Sequence, residues 1–118
     1  MSMSHSYYLG PYLWLPERGS LDLSQWEDYV VEGRGELCAG KPDAILVPNK
    51  TLPEIDRNFW ISDDYDWRAT LKDVVHVSPA MIVKEKAALS RFAVDFIRFC
   101  DNNNVEVHEG WGLVPCFS

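Results

Sequence analysis

Between positions 60 and 67 the chain reads Trp60-Ile61-Ser62-Asp63-Asp64-Tyr65-Asp66-Trp67, three carboxylates set among three large rings. Two chemistries suit that mixture. Clustered carboxylate oxygens can bind a hard divalent cation, and rings beside carboxylates can receive arginine or lysine from another protein by stacking and charge-assisted hydrogen bonds. A calcium loop of the EF-hand kind needs ligands at alternate positions, a central glycine and a closing glutamate, and this segment has neither that glycine nor that glutamate. Of these two chemistries protein binding is the one kept, with Asp63, Asp64, Tyr65 and Asp66 as contact residues and Glu27, Asp28 and Glu32 as a second acidic group. The competing reading makes Trp60 and Trp67 core anchors and leaves the aspartates to cap a helix start and face water.

The other reactive side chains are scattered. His76, His108, Cys38, Cys100 and Cys116 include the atom types of a zinc site, but no two cysteines form a Cys-x-x-Cys pair. Neither a metal nor a cofactor is expected. Ser78 and Ser90 lie in no Gly-x-Ser-x-Gly elbow, no cysteine sits among basic residues that would make it a thiolate, and Gly33 and Gly35 are not followed by the Lys-Ser/Thr of a phosphate loop. No catalytic residue is assigned. The alternative within enzymes is a small hydrolase or transferase in which His108 or His76 works beside carboxylates such as Glu106 and Glu109.

The charge balance is one-sided. The chain has 118 residues and a formal charge of −7. All of it comes from the stretch Glu17 to Asp66, where twelve acids face five bases; from Trp67 onward six acids meet six bases. A field of that sign repels phosphate backbones and anionic lipid, so neither direct nucleic-acid binding nor membrane binding is expected, and it attracts basic proteins. Three cysteines without pairing spacing fit a reducing compartment, the first residues have no basic region followed by an apolar run, and charges interrupt the longest apolar stretch. A cytoplasmic location is the expectation.

The elements that must position these groups are clearest in the second half. Ser78-Pro79 supplies a helix N-cap followed by proline at the first helical position. The apolar residues Ile82, Leu89, Phe92, Ala93, Phe96, Ile97, Phe99 and Cys100 then recur near every 3.6 positions, which predicts one long helix over about 79–101. Asn102-Asn103-Asn104 stops it, since asparagine tolerates the left-handed conformation. Val105 to His108 alternates as a half-buried strand would, and Asp73 to Val77 is a second strand candidate. Whether this order makes a crossover between parallel strands or a helix over an antiparallel sheet is left open by the spacing.

The first half is less regular. Residues 6–15 are rich in aromatics around Gly10-Pro11, which predicts an edge strand kinked at Gly10 or two short strands, because proline cannot donate to a sheet. Ser24-Gln25-Trp26-Glu27 has the form of a capping box, predicting a short helix near 25–31; the rival reading is a strand through Tyr29-Val30-Val31. Ala44 to Val47, closed by Pro48, reads as a buried strand.

The expectation is a single α+β domain over 1–118: one small sheet of about four or five short strands against the long C-terminal-half helix, with residues 1–5 disordered or an expression remnant. The function that fits best is a non-enzymatic acidic domain that binds a basic protein. An immunity-type or phage-encoded inhibitor of a nucleic-acid-handling protein has this size and sign, since such a target must carry positive charge to hold its substrate. A third class is a homo-oligomeric structural component, in which self-association covers exposed rings from five tryptophans.

Overall fold

The computed structural model describes residues 5–32, 43–48, 60–62 and 76–117. Among these residues five strands and two α-helices follow in the order β1 (His5–Leu15), β2 (Val30–Glu32), β3 (Ala44–Leu46), β4 (Trp60–Ser62), α1 (Pro79–Phe92), α2 (Val94–Asn102) and β5 (His108–Phe117). This is the expected α+β class. Every strand pair among the described residues is antiparallel, as in the second of the two arrangements the spacing left open. Among the described residues no helix is long and apolar enough to cross a membrane.

β1 is the centre of the sheet and not its edge. β5 pairs with it from His5 to Trp14, so β3, against Leu13–Leu15, and β4, against Ser6–Tyr8, must share its opposite edge end to end. β2 lies outside β3. Pro11 falls in the interval between β3 and β4, where the demand for ladder donors is lowest, which is how a central strand accommodates it. Two glycines in the ladder are covered by rings. A Cβ on Gly110 would lie 2.6 Å from the Tyr12 ring directly across the ladder, and one on Gly10 would lie 2.8 Å from the Tyr8 hydroxyl. The rings thus fill the side-chain space that glycine leaves, and the backbone stays extended there.

One face of the sheet makes the main core. Pro11, Leu13 and Leu15 alternate onto it, joined by Ala44 and Leu46 of β3 and by Trp111, the direct partner of Pro11 on β5, while Glu109, the partner of Leu13, is exposed. α1 packs on this face, and two side-chain bonds fix it there. The Trp111 indole N–H donates to Glu85 Oε2 at 2.5 Å, and the Ser90 hydroxyl reaches the Glu109 carboxylate. Glu85 is only 4% exposed, so a carboxylate sits inside the core with the indole as one of its partners.

The helical segment begins as expected: Ser78 Oγ accepts the Met81 N–H at 3.2 Å and Pro79 occupies the first turn. It does not continue unbroken to 101. The helix is interrupted at Ala93 (φ −97°, ψ 20°), giving α1 and α2. One turn earlier the Ser90 hydroxyl also lies 3.0 Å from the Lys86 carbonyl, the back-bonding that bends helices. The buried stripe nevertheless runs on through Glu85, Ala88, Leu89, Ala93, Phe96 and Cys100. α2 closes with Asn104 in the left-handed conformation (φ 56°); Val105 N–H bonds the Cys100 carbonyl and Asn104 N–H the Asp101 carbonyl. That is a Schellman motif, and it satisfies the carbonyls a helix end leaves open.

Further local expectations are corrected. The helix near 25–31 is a 3-10 turn, Ser24–Trp26, followed by a turn and then by β2, as in the rival reading. The capping box does not form: the Ser24 side chain makes no cap, and its N–H donates instead to Asp22 Oδ1 at 3.0 Å. The β-branched pair Val30-Val31 then finds Leu46 and Ile45 of β3 as ladder partners. At the other end, residues 105–107 are outside the ladder, and β5 starts at His108, opposite Trp14, because β1 ends one residue later at Leu15. His76 and Val77, expected as the end of a strand, are irregular lead-in to α1; Asp73 to Val75 lie outside the described residues. The chain is ordered in β1 from His5, and residues 1–4 lie outside the described residues.

Candidate functional site

The segment Glu17 to Asp28 leaves β1, makes the 3-10 turn and packs on the core through Leu21, Leu23 and Trp26, the last of them against α2. Trp26 meets Phe96 edge-on with centroids 5.2 Å apart and Phe99 at 6.0 Å, and Tyr29 meets the Phe92 edge at 6.0 Å. Rings at these distances and angles are favourable beyond simple burial. The backbone is closed by Tyr29 N–H to the Trp26 carbonyl at 2.8 Å and Val47 N–H to the Tyr29 carbonyl at 2.7 Å. With its apolar side spent on α2, the segment turns its charged residues to water: Glu17, Asp22, Glu27 and Asp28 are all exposed.

A fifth carboxylate joins them. Asp43, at the entry to β3, donates its N–H to the Leu15 carbonyl and accepts the Arg18 N–H on Oδ2 at 3.3 Å. None of the five is in an ion pair among the described residues, where the exposed pairs are Arg98 with Asp95 at 3.6 Å and His108 with Glu106 at 3.1 Å. Asp22 is held below the ordinary carboxylate range, first by the Ser24 backbone N–H and then by the Ser24 hydroxyl, so it stays ionised.

Between this segment and the end of α2 lies an open groove of about 580 Å³. Glu17, Arg18, Asp22 and Gln25 line one side, and Phe99, Asn103, Asn104 and Val105 the other. The Asn103 side-chain N–H donates to the Phe99 carbonyl at 2.8 Å, which fixes the amide and leaves its oxygen as an acceptor.

Of the residues nominated from sequence, Glu27 and Asp28 stand exposed on the turn before β2. Glu32 ends β2 opposite Ala44, at the end of the strands where Asp43 enters β3. Asp63, Asp64, Tyr65 and Asp66 lie outside the described residues. Glu17, Asp22, Asp43 and Asn103 were not nominated. An Asp-x-Ser spacing at 22–24, which makes an Asx turn, was the available signal for Asp22; for Asp43 there was none, because its position depends on β3 pairing with β1.

The groups considered for catalysis are distributed elsewhere. His108 stacks on Trp14 with centroids 4.7 Å apart, across the ladder from it, and its polar partner among the described residues is Glu106. His76 is exposed just before α1, and Ser78 is committed to capping that helix. Cys100 is fully buried, and desolvation, helped by Asp101, pushes its thiol up to about 11, far from a nucleophilic thiolate at neutral pH. Among the described residues no three His, Cys, Asp or Glu side chains are grouped so that they could hold a metal ion. Comparison with protein-family models, with curated proteins and with solved structures finds no match to this chain.

Proposed function

We propose that this chain is a non-enzymatic acidic domain that binds a basic protein, in the manner of an immunity-type or phage-encoded inhibitor whose target carries positive charge to hold nucleic acid. What carries the reading is the set Glu17, Asp22, Glu27, Asp28 and Asp43: five exposed carboxylates on or beside one segment, with no ion pair among the described residues. A carboxylate already matched by a lysine of its own chain has little left for a partner. These five are left for a partner, and the acidic groups at Glu32, Asp63, Asp64 and Asp66, with Tyr65, extend the same proposal. Such a surface speeds encounter with a cationic partner and loses strength as salt screens it.

The test is titration of the full chain against an array of arginine- and lysine-rich peptides, with neutral and glutamate-rich peptides of equal length as controls. Basic peptides bind and are released as salt approaches about 0.5 M. Reversing charge at Glu27→Lys with Asp28→Lys, or at Asp63→Lys, Asp64→Lys and Asp66→Lys together, weakens binding about tenfold. Retention no better on basic than on neutral peptides, or charge-reversed chains that bind as wild type does, overturns the reading.

A further inference from the structure

We infer that the groove between residues 17–25 and the end of α2 receives an arginine side chain of the partner. The inference rests on the acidic-binder reading and names the place where it makes its specific contact.

The walls suit a guanidinium in four respects. Glu17 and Asp22 bring two carboxylates, while Arg18, which also lines the groove, is already engaged. Asp22 accepts the Ser24 N–H on Oδ1 and the Ser24 hydroxyl as well, so its carboxylate is oriented before any partner arrives, and a carboxylate has lone pairs beyond these two for a further donor. α2 ends at the groove, and the C-terminal end of a helix favours positive charge. Phe99 and Val105 supply the apolar surface: a ring that can take the guanidinium plane and a branched side chain that can take the methylene stem.

The spread of acceptors distinguishes arginine from lysine. Glu17, Asp22 and the Asn103 amide oxygen come from two different elements on the two sides of the opening. A planar fork with five donors can engage separated acceptors at once, whereas an ammonium concentrates its three donors at one point. The volume, about 580 Å³, is within the range of small-ligand clefts, about 300–1,000 Å³, so the side chain enters with part of its own backbone.

The experiment follows backbone and Asn side-chain amide signals of the full-length, isotope-labelled chain by NMR while N-acetyl-arginine amide is added, with the lysine and glutamate analogues added separately. Saturable shifts are expected at Gly19, Ser20, Asn103 and Asn104, with arginine binding about threefold or more tighter than lysine and the glutamate analogue giving none. The Glu17→Gln, Asp22→Asn double variant keeps the Asx acceptor and so keeps the fold, and it loses these shifts. Shifts centred elsewhere, equal response to lysine, or a double variant that still responds as wild type does would overturn the inference. The two proposals fail separately: arginine amide in the groove without retention on basic peptides removes the acidic-binder reading, whereas retention that Glu27 and Asp28 control, with a silent groove, removes only this one.

Discussion

The α1 side of the sheet and the 17–28 segment treat polar groups in opposite ways. Under α1, Glu85 is buried and bonded to Trp111, and Ser90 meets Glu109, so the polar atoms are consumed in holding helix to sheet. Along 17–28 the carboxylates are exposed and without ion pairs among the described residues, and apolar side chains, Leu23 and Trp26, do the anchoring. The contrast separates two jobs within one small molecule: charge buried and matched contributes to the fold, while charge exposed and unmatched is free for recognition.

The largest effect expected from breaking the first region is at Phe96, 1% exposed and in contact with Trp26. Phe96→Ala lowers stability by about 3–5 kcal/mol, read from denaturant midpoints at constant slope. Because the same ring seats Trp26, this variant should also loosen the 17–28 segment, seen as faster amide exchange there than in β5. Next comes Glu85→Ala, which leaves the Trp111 N–H without that acceptor and costs about 1–3 kcal/mol. Loss of less than about half a kcal/mol would mean that the bond is a surface contact and that the contrast is drawn too sharply.

A third expectation is a matter of pH. The Cys100 thiol is raised in the folded state, so the fold favours the protonated form. Its contribution is whole below the pKa of an unfolded thiol, about 8.5, and is lost as pH rises toward about 11, where the folded-state thiol also ionises. Stability should fall over that window in wild type and fall less in Cys100→Ala. Equal slopes in the two proteins would show that the thiol is reached by water.

How much of this was legible in the sequence follows from how local each signal is. Ser78-Pro79 caps α1 and Asn104 closes α2 as read, because caps are decided within one turn of chain. Ser24 to Glu27 misled for an equally local reason: Asp22, two residues back, takes the Ser24 amide that a capping box needs. Of β5 only its first residue, His108, was read, as the end of a strand from Val105. Gly110-Trp111-Gly112 and Pro115 have poor strand character, and they extend only because β1 is there to template them and Tyr12 covers Gly110. The acidic surface was legible as a total and as a stretch of chain, but the placement of Asp43 beside Arg18 depends on β3 returning to the end of β1, which no spacing records.

The smallest expected effect on stability carries the most weight for function. Glu27→Lys with Asp28→Lys changes two exposed side chains, so the unfolding midpoint should stay within about 0.5 kcal/mol of wild type. Measured on the same preparation, affinity for an arginine-rich peptide should drop about tenfold at low salt. A variant that is equally stable and binds the peptide as tightly as wild type would contradict the assignment of this exposed acidic segment to recognition.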